Sequence, residues 1–81
     1  MKLTVIESEP RKAGCKHEVG KVYQYLNSFH YLVTVENEYH FVYFDGDFVG
    51  ATIYDTLEQV DARNPNDVEV DAEIIIHEVK Q

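Results

Sequence analysis

Apolar and polar residues alternate with a period of two along most of this chain, a pattern typical of β-strands. An apolar run at residues 3–6 predicts a short first strand. Residues 7–18, with a proline, a glycine and six charged side chains, predict a long exposed loop. Renewed alternation predicts four more strands, over residues 20–25, 29–35, 39–44 and 48–53. The last three form a meander of antiparallel strands.

The turns of this meander decide which side chains share a face of the sheet. We predict a three-residue loop, Glu36-Asn37-Glu38, because it makes one face wholly apolar or aromatic. That register pairs Val35 with Tyr39, Val33 with Phe41 and Tyr31 with Tyr43. A two-residue loop, Glu36-Asn37, would mix the faces and stays open, because Asn37 tolerates the left-handed conformation that such a turn requires. Asp45-Gly46 predicts the next hairpin turn, since Asp-Gly is favoured there.

After residue 53 the period lengthens to that of a helix. Asp55 with Glu58, or Thr56 with Gln59, fits a capping box, and Asn64-Pro65 ends the short apolar stripe that follows. Residues 68–79 predict a final strand, central to the fold. Its three consecutive isoleucines suggest either cover on both faces or a crossing from one sheet face to another. The predicted fold is mainly β, a small antiparallel SH3-like barrel of about five strands with one short helix before the last strand. An OB-like barrel is the alternative.

Length and charge limit the number of domains and the kinds of binding partner. The 81 residues allow one domain, with a first strand and an exposed basic loop in residues 1–18 and the barrel body in residues 19–79. The net charge of -8 opposes binding to nucleic-acid phosphates or to anionic membranes. This charge is uneven, since residues 1–21 hold five bases and three acids whereas the remainder holds two bases and twelve acids. The acidity therefore belongs to the barrel body.

Five segments follow one another in an order that resembles a known group of proteins. They are Gly20-Lys21-Val22-Tyr23 and the stretches 29–35, 39–46, 54–60 and 70–76. This order is similar to that of the small, mostly uncharacterised SH3-like proteins encoded by phages and prophages of Gram-positive bacteria. The resemblance covers roughly residues 19–76 and implies a virus-derived cytoplasmic protein that acts by binding. The group shares no functional residues, so none is carried over to this chain.

Catalytic and metal-binding chemistry has little support in the sequence. Cys15 and His17 lie two residues apart beside cations, but the orienting group and oxyanion donor of a nucleophilic site are missing, so we interpret Cys15 as an incidental exposed thiol. His30, His40 and His77 are scattered and supply no second pair at the spacing of a zinc site, which favours structural or surface histidines. We therefore predict no enzyme, no cofactor and no metal.

Two surfaces remain as candidates for binding a partner. All ten aromatic residues lie between Tyr23 and Tyr54, more rings than a core of this size can hold. Either the surplus rings are scattered over the outside, or they form a patch for a partner. Glu69, Asp71 and Glu73 would share one side of an extended strand. Their line of charge either protects a sheet edge or docks on a basic surface that normally holds nucleic acid.

The resulting hypothesis is a non-enzymatic protein-binding module of phage or prophage type, possessing an acidic and aromatic surface for a host protein. The predicted partner-binding residues are Tyr23, Tyr25, Tyr54, Glu69, Asp71 and Glu73. The alternative is a small structural or assembly component that self-associates through a β edge, so that monomer and homodimer both stay open. The chain has no apolar run that could span a membrane or serve as a signal peptide, which predicts a cytoplasmic protein.

Overall fold

The computed structural model describes residues 2–5, 16–45 and 48–75. Seven strands and one helix lie in this part of the chain. They are β1 (Lys2–Val5), β2 (Val22–Tyr25), β3 (Ser28–Val35), β4 (Glu38–Asp45), β5 (Phe48–Tyr54), α1 (Leu57–Arg63), β6 (Val68–Val70) and β7 (Ala72–Ile75). Among these residues, no helix has the length and apolar composition needed to cross a bilayer.

Five antiparallel strands form the main sheet, in the order β5-β4-β3-β2-β6. A separate antiparallel pair joins β1 to β7. The prediction of a mainly β protein with about five antiparallel strands and one short helix is confirmed. The pairing of the described strands leaves β5 and β6 at opposite edges of an open sheet, so closure into an SH3-like barrel stays a prediction.

The predicted final strand is divided into two strands in the structure. β6 ends at Val70, and the chain pairs again from Ala72, now with β1 in the second sheet. The chain therefore changes sheet at Asp71, before the three isoleucines from which a crossing was predicted. The predicted central position of this strand is wrong, because β6 is an edge strand of the main sheet. The rest of the predicted strand, residues 76–79, lies outside the described residues.

The hairpin between β3 and β4 has the two-residue turn, so the preferred three-residue register is wrong. Val35 lies opposite Glu38, and both Glu36 and Asn37 have positive φ angles, of 49° and 69°. Positive φ at both central residues matches the right-handed twist of the flanking strands. This register places Leu32 opposite Phe41 in the middle of the sheet.

The predicted hairpin between β4 and β5 is present, but the prediction that Asp45 lies in its turn is wrong. Asp45 is the last residue of β4 and lies opposite Phe48. Residues 46–47 lie outside the described residues.

Helix α1 closes the inner face of the sheet. It begins with a capping box, in which Thr56 accepts a hydrogen bond from the Gln59 backbone and the Gln59 side chain accepts one from the Thr56 backbone. This confirms the second of the two predicted boxes. Val60 is fully buried, and it completes a core with three side chains of the sheet: Tyr23, Leu32 and Phe41.

Candidate functional site

A buried histidine lies at the centre of the most strongly polar part of the interior. The His17 side chain is 1 % exposed, and each of its ring nitrogens faces a carboxylate. Nδ1 lies 2.7 Å from Oδ1 of Asp61, and Nε2 lies 3.2 Å from Oδ2 of Asp67. The His17 backbone N–H also donates to Oδ1 of Asp61, over 2.8 Å. This His17–Asp61–Asp67 cluster binds residues 16–18 to the helix and to the turn before β6.

Aromatic rings enclose the imidazole of His17. The ring of Tyr23 lies 4.4 Å away between centroids, and the ring of Phe41 meets it edge-on at 5.3 Å. His30 stacks on Phe41 at 4.6 Å. The Tyr23 hydroxyl accepts a hydrogen bond from the backbone N–H of Glu18. His17 and Glu18 are therefore fixed to the core by polar contacts among aromatic rings.

The two carboxylates favour the protonated form of His17. Burial, the largest single cause, lowers the pKa of His17, but the hydrogen bonds and charges of Asp67 and Asp61 outweigh it and raise the pKa above 6.5. Partial burial acts to raise the pKa of Asp61, and the hydrogen bonds and charge of His17, with the charge of Lys16, overcome this and lower it below 3.8. Imidazolium and carboxylate thus stabilise each other.

His30 has the opposite behaviour. Burial, as the largest cause, lowers its pKa below 6.5; the charge of Asp67 opposes this shift and the charge of His17 adds to it. Its Nδ1 atom is buried and has no hydrogen-bond partner within the described part of the chain. Burial thus disfavours the charged form of His30, whereas the two carboxylates favour the charged form of His17.

These opposed shifts predict a stability maximum near pH 6.5. His17 binds its proton more tightly in the folded state, so its contribution is complete below pH 6.5 and is lost as pH rises through its folded pKa. His30 contributes fully above pH 6.5 and loses its contribution as pH falls through its lower folded pKa. Asp61 adds a further loss as pH falls through its folded pKa, below 3.8.

Urea unfolding at a series of pH values checks this prediction, since each proton bound differently changes stability by at most about 1.4 kcal/mol per pH unit. His17→Gln should flatten the alkaline limb and leave the acid limb, and His30→Gln should do the reverse. A wild-type profile without a fall above pH 6.5 would contradict the assignment of His17.

The cluster also limits what His17 can do chemically. Both ring nitrogens and the backbone N–H are engaged by Asp61 and Asp67, so the imidazole has no nitrogen available to accept a proton from a thiol. Cys15 lies outside the described residues. The prediction that residues 7–18 form an exposed loop is wrong at His17, because its side chain is buried.

No metal site is formed in residues 2–5, 16–45 and 48–75, where no three side chains of His, Cys, Asp or Glu are placed to hold an ion. His30 and His40 lie on opposite faces of the main sheet, as the pairing of β3 with β4 shows. His77, the remaining candidate, lies outside the described residues.

Two of the six predicted partner-binding residues are buried. Tyr23 is 0 % exposed and belongs to the core, so its assignment to the surface is wrong. Glu69 lies opposite Tyr23 in the neighbouring strand and is 9 % exposed, with its Oε1 3.6 Å from Nζ of Lys21. The line of acids predicted for one strand is also wrong, because the strand ends before Asp71. Asp71 and Glu73 are both exposed.

The other two, Tyr25 and Tyr54, line neighbouring pockets that meet at Arg63. One pocket, of about 300 Å³, is formed by Tyr25, His30 and the segment 63–67. The other, of about 310 Å³, is formed by Tyr54, Arg63 and three further side chains, Thr52, Ile53 and Gln59. We name the surface defined by Tyr25, Arg63 and Tyr54 the tyrosine–arginine groove.

The end of helix α1 creates this groove by lying between two strands that are far apart in the sheet. Tyr25 ends β2, Tyr54 ends β5, and Asn64 caps the helix between them. The Asn64 side chain donates to the Tyr54 hydroxyl over 3.2 Å and to the Val60 carbonyl over 3.1 Å. Tyr54 is thereby fixed at the rim, whereas Tyr25 is 44 % exposed.

Comparisons with known protein families, with curated proteins and with solved structures found no match.

Proposed function

We propose that this chain is a non-enzymatic protein-binding module, whose partner docks in the tyrosine–arginine groove. The observation that carries the proposal is the position of Arg63, which lines both pockets while Tyr25 lies in one and Tyr54 in the other. Tyrosine and arginine are enriched among the residues that dominate protein–protein binding energies. Following the resemblance described above, the module is of phage or prophage type and acts in the cytoplasm of a bacterial host.

The size of the pockets favours a protein segment over a small metabolite. Each pocket, at about 300 Å³, is at the lower limit of small-molecule sites, and both are shallow. A partner segment that lies across Arg63 would place one side chain on each side. The five N–H donors of the Arg63 guanidinium would bind backbone carbonyl or carboxylate oxygens of that segment.

Charge favours a partner whose surface is basic overall. The chain carries a net charge of -8, and Asp55 and Glu58 are exposed at the start of α1, the helix whose other end forms the groove. Asp71 and Glu73 extend the exposed acidic surface beyond β6. Such a field accelerates the encounter with a basic surface and makes binding weaker at high salt.

The binding role is tested by replacing groove residues and measuring affinity. The partner is first captured from a Gram-positive host lysate and purified, and its dissociation constant is then measured by calorimetry. Tyr25→Ala combined with Arg63→Ala should weaken binding about 30-fold, the effect of losing a dominant contact of about 2 kcal/mol. Because both side chains are exposed, the folded state should be retained, which circular dichroism checks.

Glu36→Ala, a change in the exposed β3–β4 turn, is the matched control and should leave affinity unchanged. Affinity should also fall as salt is raised. A partner that binds the groove variant and the control equally tightly would refute docking at the groove, and capture of no specific partner would refute the binding role.

The second candidate function is that of an assembly component, as the sequence analysis also allowed. A specific observation favours it: strand β5 is an edge of the main sheet, seven residues long and without a charged residue. Long uncharged edges are the part of a sheet through which chains associate.

A further inference from the structure

The two edges of the main sheet are protected very differently. β6 has three residues, one of them Glu69, and Asp71 follows directly, so a second chain would find a short and charged edge. β5 runs over Phe48–Tyr54 with the sequence FVGATIY. Among the described residues, β4 is its one neighbouring strand. Proteins usually protect such an edge with lysine, proline or a bulge. The pairing of β5 with β4 is continuous over all seven residues, and none of these devices occurs.

The outward side chains of β5 are apolar as well as exposed. Val49 is 49 % exposed and Ile53 is 53 % exposed, and Ala51 lies between them on the same face of the sheet. In a chain of net charge -8, this strand has no charged side chain of its own that would repel the same strand of a second copy.

We infer that a second copy of this chain pairs with β5 in antiparallel fashion, with Ala51 on the two-fold axis. This inference rests on the assembly role proposed above. Thr52, Ile53 and Tyr54 of the same strand also line one pocket of the groove, whereas the pocket that contains Tyr25 has no residue of β5.

The pairing places Val49 of each copy opposite Ile53 of the other copy, and Gly50 of each copy opposite Thr52 of the other copy. Opposite residues of an antiparallel pair lie on the same face, so the four exposed apolar side chains form one continuous strip.

The sequence on both sides of β5 selects this register. Asp47 precedes the strand and Asp55 follows it. If the axis moved to Gly50, Asp47 would lie opposite Ile53; if it moved to Thr52, Asp55 would lie opposite Val49. Only the register centred on Ala51 pairs all seven residues and leaves both carboxylates beyond the paired segment. Self-complementary pairing of one surface patch is also what a closed two-fold dimer requires.

The dimer should be weak but measurable. Pairing along one strand buries less than the roughly 1,600 Å² of a standard interface, so we expect a dissociation constant on the order of 10 to 100 µM. Sedimentation velocity at protein concentrations from about 5 µM to about 1 mM should show a monomer converting to a dimer.

The first variant tests the edge. Ala51→Lys places two like charges on the axis and should keep the chain monomeric over the whole concentration range. Ala62→Lys is the matched control, because Ala62 is exposed on helix α1, and it should dimerise like the wild type. Tyr25→Ala in the groove should also leave dimerisation unchanged.

The second pair of variants tests the register. Val49→Lys and Ile53→Glu should each weaken the dimer of the variant with itself. Mixed together, they should associate about fivefold more tightly than either alone, since the introduced lysine of one chain then lies opposite the introduced glutamate of the other. A wild type that stays monomeric at all concentrations overturns both the inference and the assembly role. A dimer that persists in Ala51→Lys overturns pairing through β5. If Ala51→Lys abolishes the dimer but the mixture of Val49→Lys and Ile53→Glu associates no more tightly than either variant alone, only the proposed register is overturned.

Discussion

Replacing His17 by alanine is expected to lower the free energy of unfolding by about 3 kcal/mol. The change removes the imidazole that lies between the carboxylates of Asp61 and Asp67 and leaves both carboxylates without this partner. The Asp67 side chain is only 4 % exposed and cannot be rehydrated without opening the turn, whereas Asp61, at 33 %, can partly turn to water. Removing one partner of a buried ion pair costs more than the pair contributes, because the remaining charge stays buried.

The measurement is urea unfolding at pH 6.5, the predicted stability maximum. A loss of about 3 kcal/mol should lower the melting temperature by about 15 °C in a domain of this size. His40→Ala is the matched control. His40 is a partly buried histidine of β4, and its contact with a carboxylate is a distant one, 3.8 Å to Oε1 of Glu38. We expect its replacement to cost about 1 kcal/mol.

An equal loss in the two variants would mean that the carboxylates around His17 contribute nothing beyond packing. A second comparison separates the charge from the packing. His17→Gln keeps a polar side chain with hydrogen-bonding capacity but no charge, so it should recover part of the lost stability below pH 6.5 and none of the pH dependence above it.

The elements of the fold could be predicted because each depends on local chemistry. Alternation over residues 39–44 marks a strand wherever its neighbours lie, and Thr56 with Gln59 caps a helix through contacts only three residues apart. The stop at Asn64-Pro65 is likewise local, since the Asn64 side chain caps the Val60 carbonyl. These signals predict the order of the strands and the helix along the chain. They do not predict which side chains share a face of the sheet.

The register of the β3–β4 hairpin could not be predicted, because the sequence does not show whether an apolar face or the match between turn and strand twist decides the loop length. The three-residue loop was preferred because it would gather apolar residues on one face. The structure instead has the turn in which Glu36 and Asn37 both adopt positive φ, because this turn matches the strand twist. As a result, both faces of the sheet carry apolar side chains.

The buried cluster around His17 could not have been predicted at all from this chain. Asp61 and Asp67 lie 44 and 50 residues further along, in a helix and in a turn, and neither has a spacing that distinguishes it from the other acids. The tyrosine–arginine groove could not be predicted in full either. Tyr25 and Tyr54 were selected as aromatic residues, but Arg63 was not, because only the packing of α1 places it between them.

Replacing Phe41 by alanine is expected to have the largest effect of all, a loss of about 4 kcal/mol of unfolding free energy. Phe41 is 1 % exposed, belongs to the core with Leu32 and Val60, and packs against the rings of His17 and His30. Truncation leaves a cavity that the rigid sheet around it can close only in part. Phe41→Leu keeps most of the volume and should cost about 1 kcal/mol.

Phe29→Ala is the control for the general cost of removing a ring from this sheet. Phe29 is half-buried on β3, on the face opposite to the core, so its loss should be less than half that of Phe41→Ala. A second readout is specific to the site. Because burial holds the pKa of His30 down, Phe41→Ala should move that pKa back towards 6.5, and Phe29→Ala should not. Titration of the histidine ring protons by NMR measures this shift.

Phe41 also couples the apolar core to the His17 cluster, and a double-mutant cycle measures that coupling. A domain of this length has roughly 4 to 12 kcal/mol of total stability, so the cycle combines His17→Ala with the milder Phe41→Leu to keep the protein folded. Side chains in contact typically show interaction energies of about 0.5 kcal/mol or more. Since the two rings meet at 5.3 Å, we expect the double variant to lose less than the sum of the single losses. Strict additivity, together with a His30 pKa that does not respond to Phe41→Ala, would show that the core and the cluster are energetically separate.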